Sequence, residues 1–233
     1  MMPDSMPLTL PLGLVIFDCD GVLVDSEVIA NRVVAQEVTR LGWPMTLEES
    51  TATFMGMRLS DMPPIIEARL ETAVPQGWVE RLRDRIIAAL AEEAEEIAGA
   101  GEALRGVAAL GMPYRVASNS SHEEMRVKFA RTGLAPLLAG RVHSARDVGV
   151  GKPAPDLFLA AAAAEGVAPG ACLVVEDSVT GARAARAAGM ACLALVLHGD
   201  GAALAAEGAV PIRSLAEVLP VVERGMAARA PTA

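Results

Sequence analysis

The sequence predicts an α/β fold in which a doubly wound core, built on a parallel sheet, carries an inserted α-helical cap domain. Three observations support this prediction. Continuous apolar segments recur along the chain and end abruptly in polar residues. Helical patterns closed by glycine separate the later apolar segments. A long stretch after the first apolar segment has helical patterns alone, and 233 residues suffice for one core domain with such an insertion.

The predicted core strands are the apolar segments LGLVIFDCD, YRVASNSS and ACLVVEDS, which begin at residues 12, 114 and 171. Unbroken rather than alternating apolar residues are typical of strands that are covered on both faces, as in a parallel sheet. The predicted helices of this region, each closed by a nearby glycine, are 121–131, 155–165 and 179–188. Strand and helix therefore alternate, which indicates a doubly wound core.

The predicted cap comprises residues 27–99, and the predicted core comprises 1–26 together with 100–233. Within the cap, helix follows helix with no strand-like segment between them. Thr46 and Glu49 have the spacing of a capping box at a helix start. One long helix has an apolar stripe formed by Trp78, Leu82, Ile86, Leu90 and Ile97.

The formal net charge of −9 excludes several classes of partner. Such a surface repels long polyanions, so we expect no nucleic acid partner, although a small phosphate ester can still bind in a locally cationic pocket. No apolar run approaches the roughly 18 residues of a membrane span. The N-terminal MMPDSMPLTLPLG lacks the basic residues of a secretory signal, and three cysteines without paired spacing suit a reducing compartment. We therefore expect a cytoplasmic protein with no membrane partner.

Polar residues end each predicted strand, and ligands of open parallel sheets bind beyond the carboxyl ends of the strands. We therefore expect these residues to converge, together with a lysine in the segment GKPAPD. The candidate site residues are Asp18, Asp20, Ser118, Asn119, Lys152, Glu176 and Asp177. Several acids, one lysine and one hydroxyl are what phosphoryl transfer to an aspartate requires.

The candidate residues divide into catalytic, metal-binding and phosphate-binding groups. A free aspartate is ionised near neutral pH, so we expect Asp18 to be able to attack phosphorus, while Asp20 can protonate the leaving oxygen and later take a proton from water. A carboxylate and a phosphate repel each other, so Mg²⁺ is the expected cofactor, held by Asp18 and Asp177. Glu176 is either a direct metal ligand or an outer carboxylate. The phosphate is expected to bind Lys152, the Ser118 hydroxyl and the Asn119 backbone N–H.

Four segments, FDCDGVLVDSE, ASNSS, GKPAPDLF and VEDSVTGARAARAAGM, resemble the signature segments of the haloacid dehalogenase superfamily, in the order of that family. The resemblance covers the whole predicted core and implies a Rossmann-like fold. It implies that Asp18 is the nucleophile, Asp20 the acid and base, and Asp177 a metal ligand. It also implies that Asp20 offers its backbone carbonyl to the metal. The family's dehalogenases lack an acid at the position of Asp20, so its presence favours a phosphatase.

The predicted function is Mg²⁺-dependent hydrolysis of a small phosphorylated metabolite, a sugar phosphate or sugar-acid phosphate, through a phosphoaspartyl intermediate on Asp18. One alternative is a phosphohexomutase similar to β-phosphoglucomutase. That family has a cap histidine at the position of Ala30, which weakens the alternative. A noncatalytic metabolite-binding protein is ranked last, because the catalytic acids are all present. Arg58, in the cap loop FMGMRLSD, is a candidate specificity residue or a partner in a surface salt bridge.

Overall fold

A computed structural model describes residues 11–54 and 56–227. The strands are β1 (Leu14–Phe17), β2 (Val24–Asp25), β3 (Glu95–Glu96), β4 (Tyr114–Ser118), β5 (Val142–Ser144), β6 (Cys172–Glu176), β7 (Ala191–Leu195) and β8 (Val210–Ile212). Six of them form one sheet in the order β5-β4-β1-β6-β7-β8, and every neighbouring pair in it is parallel. The predicted α/β fold with a parallel sheet is confirmed.

The helices lie between these strands, except for the last one, which follows β8, and most of them are short. They are α1 (Glu27–Arg40), α2 (Leu47–Phe54), α3 (Pro63–Leu70), α4 (Trp78–Glu93), α5 (Ala100–Ala109), α6 (His122–Thr132), α7 (Ala135–Leu138), α8 (Ala145–Val148), α9 (Asp156–Ala164), α10 (Val179–Ala187), α11 (Ala202–Ala206) and α12 (Val218–Ala227). Three-residue 3₁₀ turns occur at Leu59–Asp61, Pro169–Ala171 and Leu215–Glu217.

The central strand β1 shows why the core strands have continuous apolar sequences. Val15 and Phe17 belong to the hydrophobic core on one face of the sheet, and Leu14 and Ile16 belong to the core on the other. All four side chains are fully buried. Because side chains alternate along a strand, a strand with helices on both faces must be apolar at every position.

Local signals in the sequence fix the ends of the core helices. The helix α6 begins at a capping box, in which the Ser121 hydroxyl accepts a hydrogen bond from the Glu124 N–H and the Glu124 carboxylate accepts one from the Ser121 N–H. It ends at Gly133, whose φ of 77° lies in the left-handed region that favours glycine. The three helices predicted in this region are all present within one or two residues.

The cap region consists of α1 to α4, which the chain enters directly after β2. The capping box at Thr46 and Glu49 is formed, with hydrogen bonds of 2.8 and 3.2 Å. The predicted apolar stripe lies on the buried face of α4, except that Ile97 follows the helix end. The division into core and cap at residues 26/27 and 99/100 stays a prediction.

The expectation that segment 27–99 holds helices alone is wrong at its end. Glu95 and Glu96 form β3, which pairs antiparallel with β2 where the chain leaves and re-enters the core. This strand is formed through main-chain pairing alone. Its two exposed glutamates therefore give no strand-like pattern in the sequence. Strands β2, β5, β7 and β8 also lie outside the three predicted core strands.

The N-terminal segment on which the expectation of no secretory signal rests lies mostly outside the described residues. Among the described helices, none combines the length and the apolar character needed to cross a membrane.

Candidate active site

The predicted site residues converge at the carboxyl edge of the sheet. Asp18 directly follows β1, Ser118 is the last residue of β4, and Glu176 is the last residue of β6. The Asp18 N–H donates to the carbonyl of Val175 on β6 at 2.9 Å, which fixes the nucleophile candidate beside the end of that strand. Parallel pairing of β1 with both β4 and β6 therefore brings three separate segments of sequence to one crevice.

Lys152 joins the two buried carboxylates at this edge. Its ammonium lies 2.7 Å from Asp18 Oδ1 and 2.7 Å from Glu176 Oε1, and all three side chains are almost inaccessible to solvent. The side chain of Asn119 accepts a hydrogen bond of 2.9 Å from the Lys152 N–H. Asn119 therefore holds the segment that carries Lys152, a contact that the sequence did not indicate. Its predicted backbone contact with phosphate stays a prediction.

Glu176 is fully buried, and the protein itself uses both of its carboxylate oxygens. Oε1 accepts from Lys152, and Oε2 accepts from the N–H groups of Asp177 and Ser178 and from the Ser178 hydroxyl, each at 2.9 Å. A Cβ at Gly181 would lie 1.7 Å from Glu176 Oε1, so the helix α10 can approach this carboxylate only with glycine there. These contacts suit an outer carboxylate that orients Lys152 and Asp177.

Asp18, Glu176 and Asp177 form an acidic cluster whose ligand oxygens lie within 4.8 Å of one another. Burial raises the pKa of Asp177, and the negative charges of Glu176 and Asp18 raise it further. Burial also raises the pKa of Asp18, although the Lys152 charge opposes this effect. A Cβ at Gly21 would lie 1.9 Å from Asp177 Oδ2, so the turn after Asp20 closes tightly over this carboxylate.

This cluster fits a hard divalent cation. Carboxylate oxygens are the ligands that Mg²⁺ prefers, and neighbouring like charges are costly without a cation. Asp18 Oδ1 is buried and, despite its close ion pair with Lys152, has no hydrogen bond of acceptable geometry within the described residues. An oxygen left in this state can still coordinate an ion.

Asp20 lies in a different environment, surrounded by donors. Its Oδ1 accepts from the Ser26 hydroxyl and the Lys128 ammonium. Its Oδ2 accepts from the hydroxyls of Ser118 and Ser120, at 3.2 and 2.8 Å. Burial alone would raise the pKa of Asp20, but the charge and hydrogen bond of Lys128 and the bonds of Ser26 and Ser120 outweigh it and lower the pKa to about 2.

Sequence reasoning missed Lys128, Ser26 and Ser120. Lys128 is buried on α6, on the helical face that also carries Met125 and Phe129. The sequence does carry a signal for this contact: Lys128 follows Met125 by three residues on an apolar helix face. A lysine buried there needs a partner for its ammonium. Ser118, expected to contact phosphate, here donates to Asp20.

Arg58 does not join this group in the described structure. It is exposed and directly precedes the 3₁₀ turn at Leu59–Asp61 of the cap region. Among the described residues it forms no hydrogen bond or ion pair with the residues around Asp18 or Asp20. Its role in specificity therefore stays a prediction. No acidic side chain among the described residues forms a salt bridge with Arg58, which was the alternative role.

Comparison with known proteins supports a phosphatase. A family model described as haloacid dehalogenase-like hydrolase matches residues 12–189. The 6-phosphogluconate phosphatase of Escherichia coli is 32% identical over 76% of this chain and 79% of its own. A phosphorylated carbohydrates phosphatase of Thermotoga maritima is 29% identical over 90% of this chain and 97% of its own.

A solved structure extends the likeness to the whole fold. The crystal structure of a haloacid dehalogenase family hydrolase from Deinococcus radiodurans, with bound phosphate and sodium, superposes with a TM-score of 0.78. It is 33% identical in sequence, and the match covers 92% of this chain and 96% of that one. The family match spans all the residues gathered around Asp18 and Asp20. The chain therefore belongs to the haloacid dehalogenase-like hydrolases, as one of the phosphatases of that family.

Proposed function

We propose that the protein hydrolyses a small phosphorylated sugar or sugar acid, with Mg²⁺, through a phosphoaspartyl intermediate on Asp18. The observation that carries this proposal is the pairing of Asp18 with Lys152 beside Asp177. The Oδ1 atom of the buried Asp18 carboxylate lies 2.7 Å from the Lys152 ammonium, yet it has no hydrogen bond of acceptable geometry from any residue that the structure describes. Such a group is oriented and ready to form a bond to phosphorus.

In the first step Asp18 attacks phosphorus, and the bond between phosphorus and the ester oxygen breaks. Lys152 and the Ser118 hydroxyl are proposed to neutralise the charge on the phosphoryl oxygens, with the Asn119 N–H as a third donor. Asp20 donates a proton to the departing alkoxide. The negative charge of a bound phosphate ester raises the pKa of a neighbouring carboxyl, so substrate binding favours the protonated form that Asp20 needs here.

In the second step water attacks the phosphoaspartate, the bond between phosphorus and Asp18 breaks, and inorganic phosphate leaves. Asp20, now ionised, accepts the proton of the attacking water. The donors around Asp20 favour its ionised form, which is the form this step uses. One carboxyl group thus acts as acid and then as base.

Asp18, Asp177 and the main-chain carbonyl of Asp20 are the proposed Mg²⁺ ligands. Glu176 is assigned to the outer position, because its oxygens already accept four hydrogen bonds. When bound, the metal supplies the positive charge that lets a phosphate ester approach the Asp18 carboxylate.

The named relatives support a sugar-type substrate. The two relatives act on 6-phosphogluconate and on phosphorylated carbohydrates, as their names state. We propose that residues 27–99 form a cap over the site and that Arg58, in this cap, helps select the ester. The net negative charge of the chain does not prevent binding of a single small phosphate ester, because one locally cationic pocket can bind it.

The proposal is tested by measuring phosphate release from a panel of hexose phosphates, sugar-acid phosphates and 4-nitrophenyl phosphate. Release should depend on Mg²⁺, stop with EDTA and return when Mg²⁺ is added in excess. Undiminished turnover by EDTA-treated, metal-free protein would contradict the metal role. No release from any ester would favour a binding protein of the same fold.

The mutase alternative predicts a different product. A mutase must protect its phosphoaspartate from water until a sugar hydroxyl arrives, and Ala30 offers no hydrogen bond that could restrain Asp20. Phosphorus NMR of β-glucose 1-phosphate with a bisphosphate primer should therefore show inorganic phosphate and no net isomerisation. Glucose 6-phosphate accumulating faster than phosphate would make the protein a mutase.

A further inference from the structure

Lys128 is a buried cation that the proposed reaction does not yet use. Its side chain is 3% exposed, on a helix whose other buried side chains include Met125 and Phe129. An apolar residue would pack at this position without the cost of removing an ammonium from water. That cost is offset only through the bonds that Lys128 makes, so those bonds indicate what it does.

Within the described residues, the Lys128 ammonium donates hydrogen bonds to Asp20 and to Ser120, which itself contacts Asp20. It donates to Asp20 Oδ1 and, at 2.9 Å, to the Ser120 hydroxyl, which itself donates to Asp20 Oδ2. One cation therefore fixes both oxygens of the carboxylate, one directly and one through a hydroxyl. The two buried lysines are divided between the two aspartates, since Lys152 contacts Asp18 and Glu176.

Ser26 also contacts Asp20, in place of the bond that a serine at its position usually makes. Ser26 occupies the N-cap position of α1, where a serine side chain normally accepts a hydrogen bond from the helix. Its hydroxyl makes no capping bond and donates instead to Asp20 Oδ1. Donors from α6, from the end of β4 and from the start of α1 thus meet on one carboxyl group, which restricts its rotation about the side-chain bonds.

We propose that Lys128 is a positioning residue that holds the Asp20 carboxyl group at the distance and orientation needed for proton transfer at the ester oxygen. Lys128 acts through Asp20 and does not contact the phosphoryl group. The inference rests on the proposed phosphatase function. Misplacing a catalytic group by about 1 Å can cost about 100-fold in rate, so we expect a measurable effect of losing Lys128.

The test compares two esters in single-turnover release of the alcohol. A sugar phosphate has a poor leaving group that needs protonation, whereas 4-nitrophenol leaves without much help. Lys128→Met should slow the sugar phosphate by about 30- to 100-fold and the aryl phosphate by less than about 5-fold. Arg126→Met is the matched control, because it removes one positive charge from an exposed position of the same helix and should change neither rate.

A double-mutant cycle distinguishes action through Asp20 from direct contact with substrate. In the Asp20→Asn background, Lys128→Met should slow the sugar phosphate by less than about 3-fold more, because the group it positions is already gone. Independent, multiplying losses would overturn the inference. So would an equal loss on both esters with a raised KM, which is expected of a lysine that binds phosphate.

Lys128→Arg covers the case in which Lys128→Met does not fold, which thermal unfolding would reveal. Arginine keeps the charge but its planar group reaches Asp20 differently, so the loss should again be selective for the sugar phosphate and smaller than in Lys128→Met. An arginine variant that loses activity equally on both esters would overturn the inference. If the wild-type enzyme releases phosphate but these selectivities are absent, the positioning role fails alone; if the wild-type enzyme releases none, the phosphatase proposal fails.

Discussion

Asp18 and Asp20 are separated by one residue, and each contacts a buried lysine, yet their surroundings differ in kind. Asp18 lies among other carboxylates, with Lys152 as its cation. Asp20 lies among three hydroxyls and Lys128, and its pKa is lowered to about 2. The first environment is short of positive charge, while the second is rich in donors. The difference shows how one strand end can present two chemically distinct carboxyl groups.

The largest expected effect tests the Asp18 side of this comparison. Asp18→Asn keeps the shape but removes the charged nucleophile, so turnover should fall by at least about 10⁴-fold. The loss should be equally severe for aryl and sugar esters, since neither can react without the bond to phosphorus. Steady-state phosphate release measures it, and a folded variant with more than a few per cent of wild-type turnover would exclude Asp18 as nucleophile.

Asp20→Asn should show the opposite dependence on leaving group. Proton transfer contributes about 10²- to 10⁴-fold, so alcohol release from a sugar phosphate should fall within that range. Release of 4-nitrophenol in a single turnover should fall much less, because this leaving group needs little protonation. Rapid-quench kinetics of both esters measure the ratio, and equal losses would mean that Asp20 is not the acid.

The two aspartates should also give the free energy of unfolding opposite dependences on pH. Burial raises the pKa of Asp18 to about 7 and that of Asp177 to about 9. In the unfolded chain these two carboxyl groups lose their protons near pH 4, whereas in the metal-free folded protein they keep them to higher pH. The free energy of unfolding therefore falls as the pH rises from about 4 toward 7 to 9. Asp20, with its lowered pKa, contributes stability above about pH 4 that is lost as pH falls toward 2.

Mg²⁺ should therefore stabilise the protein more at pH 8 than at pH 5, because it competes with protons for Asp18 and Asp177. At a concentration 100 times the Kd, the gain at pH 8 should be about 2.7 kcal/mol. Thermal unfolding with Mg²⁺ and with EDTA at both pH values measures this difference. Asp177→Asn is the control and should lose most of the gain; a stabilisation independent of pH would argue against this carboxylate site.

The smallest expected effect concerns Arg58, which belongs to neither carboxylate environment. Its replacement by alanine should leave both chemical steps intact and raise the KM of the preferred sugar ester a few-fold, about 1 kcal/mol of binding. Hydrolysis of 4-nitrophenyl phosphate should change less. Steady-state kinetics on both esters provide the comparison, and an unchanged KM would exclude Arg58 as a specificity residue.

Sequence reasoning found the Asp18 environment more completely than the Asp20 environment. Asp18, Glu176 and Asp177 each end an apolar strand segment, and the register of parallel strands brings such residues together. Lys128 lies within a helix, ten residues after Ser118, and its contact with Asp20 depends on how α6 packs on the sheet. Nothing in the local pattern fixes that packing. A lysine on an apolar helix face nevertheless indicates a buried cation that needs a partner.

The fold was predicted in its centre and missed at its edges. The central strands β1, β4 and β6 have long apolar segments, because helices cover both of their faces. Strands β5 and β8 have three residues each, too few to stand out from loops. Strand β7, with the sequence ACLAL, carried a recognisable apolar segment that was overlooked. The pair of β2 and β3 depends on main-chain hydrogen bonding between distant residues, which side-chain patterns do not encode.

The helix α6 contacts both the site and the cap region, and this limits how the enzyme can be recombined with its relatives. Lys128 of this helix donates to Asp20, and Arg131 near its end donates to the Glu92 carbonyl of α4 at 2.7 Å. A chimera that takes residues 27–99 from another phosphatase would replace the native neighbour of α6 at this contact. Exchanging 122–132 together with the cap would preserve the native contact between them. The unit of exchange between such enzymes is thus discontinuous in sequence, an insertion plus one helix of the core.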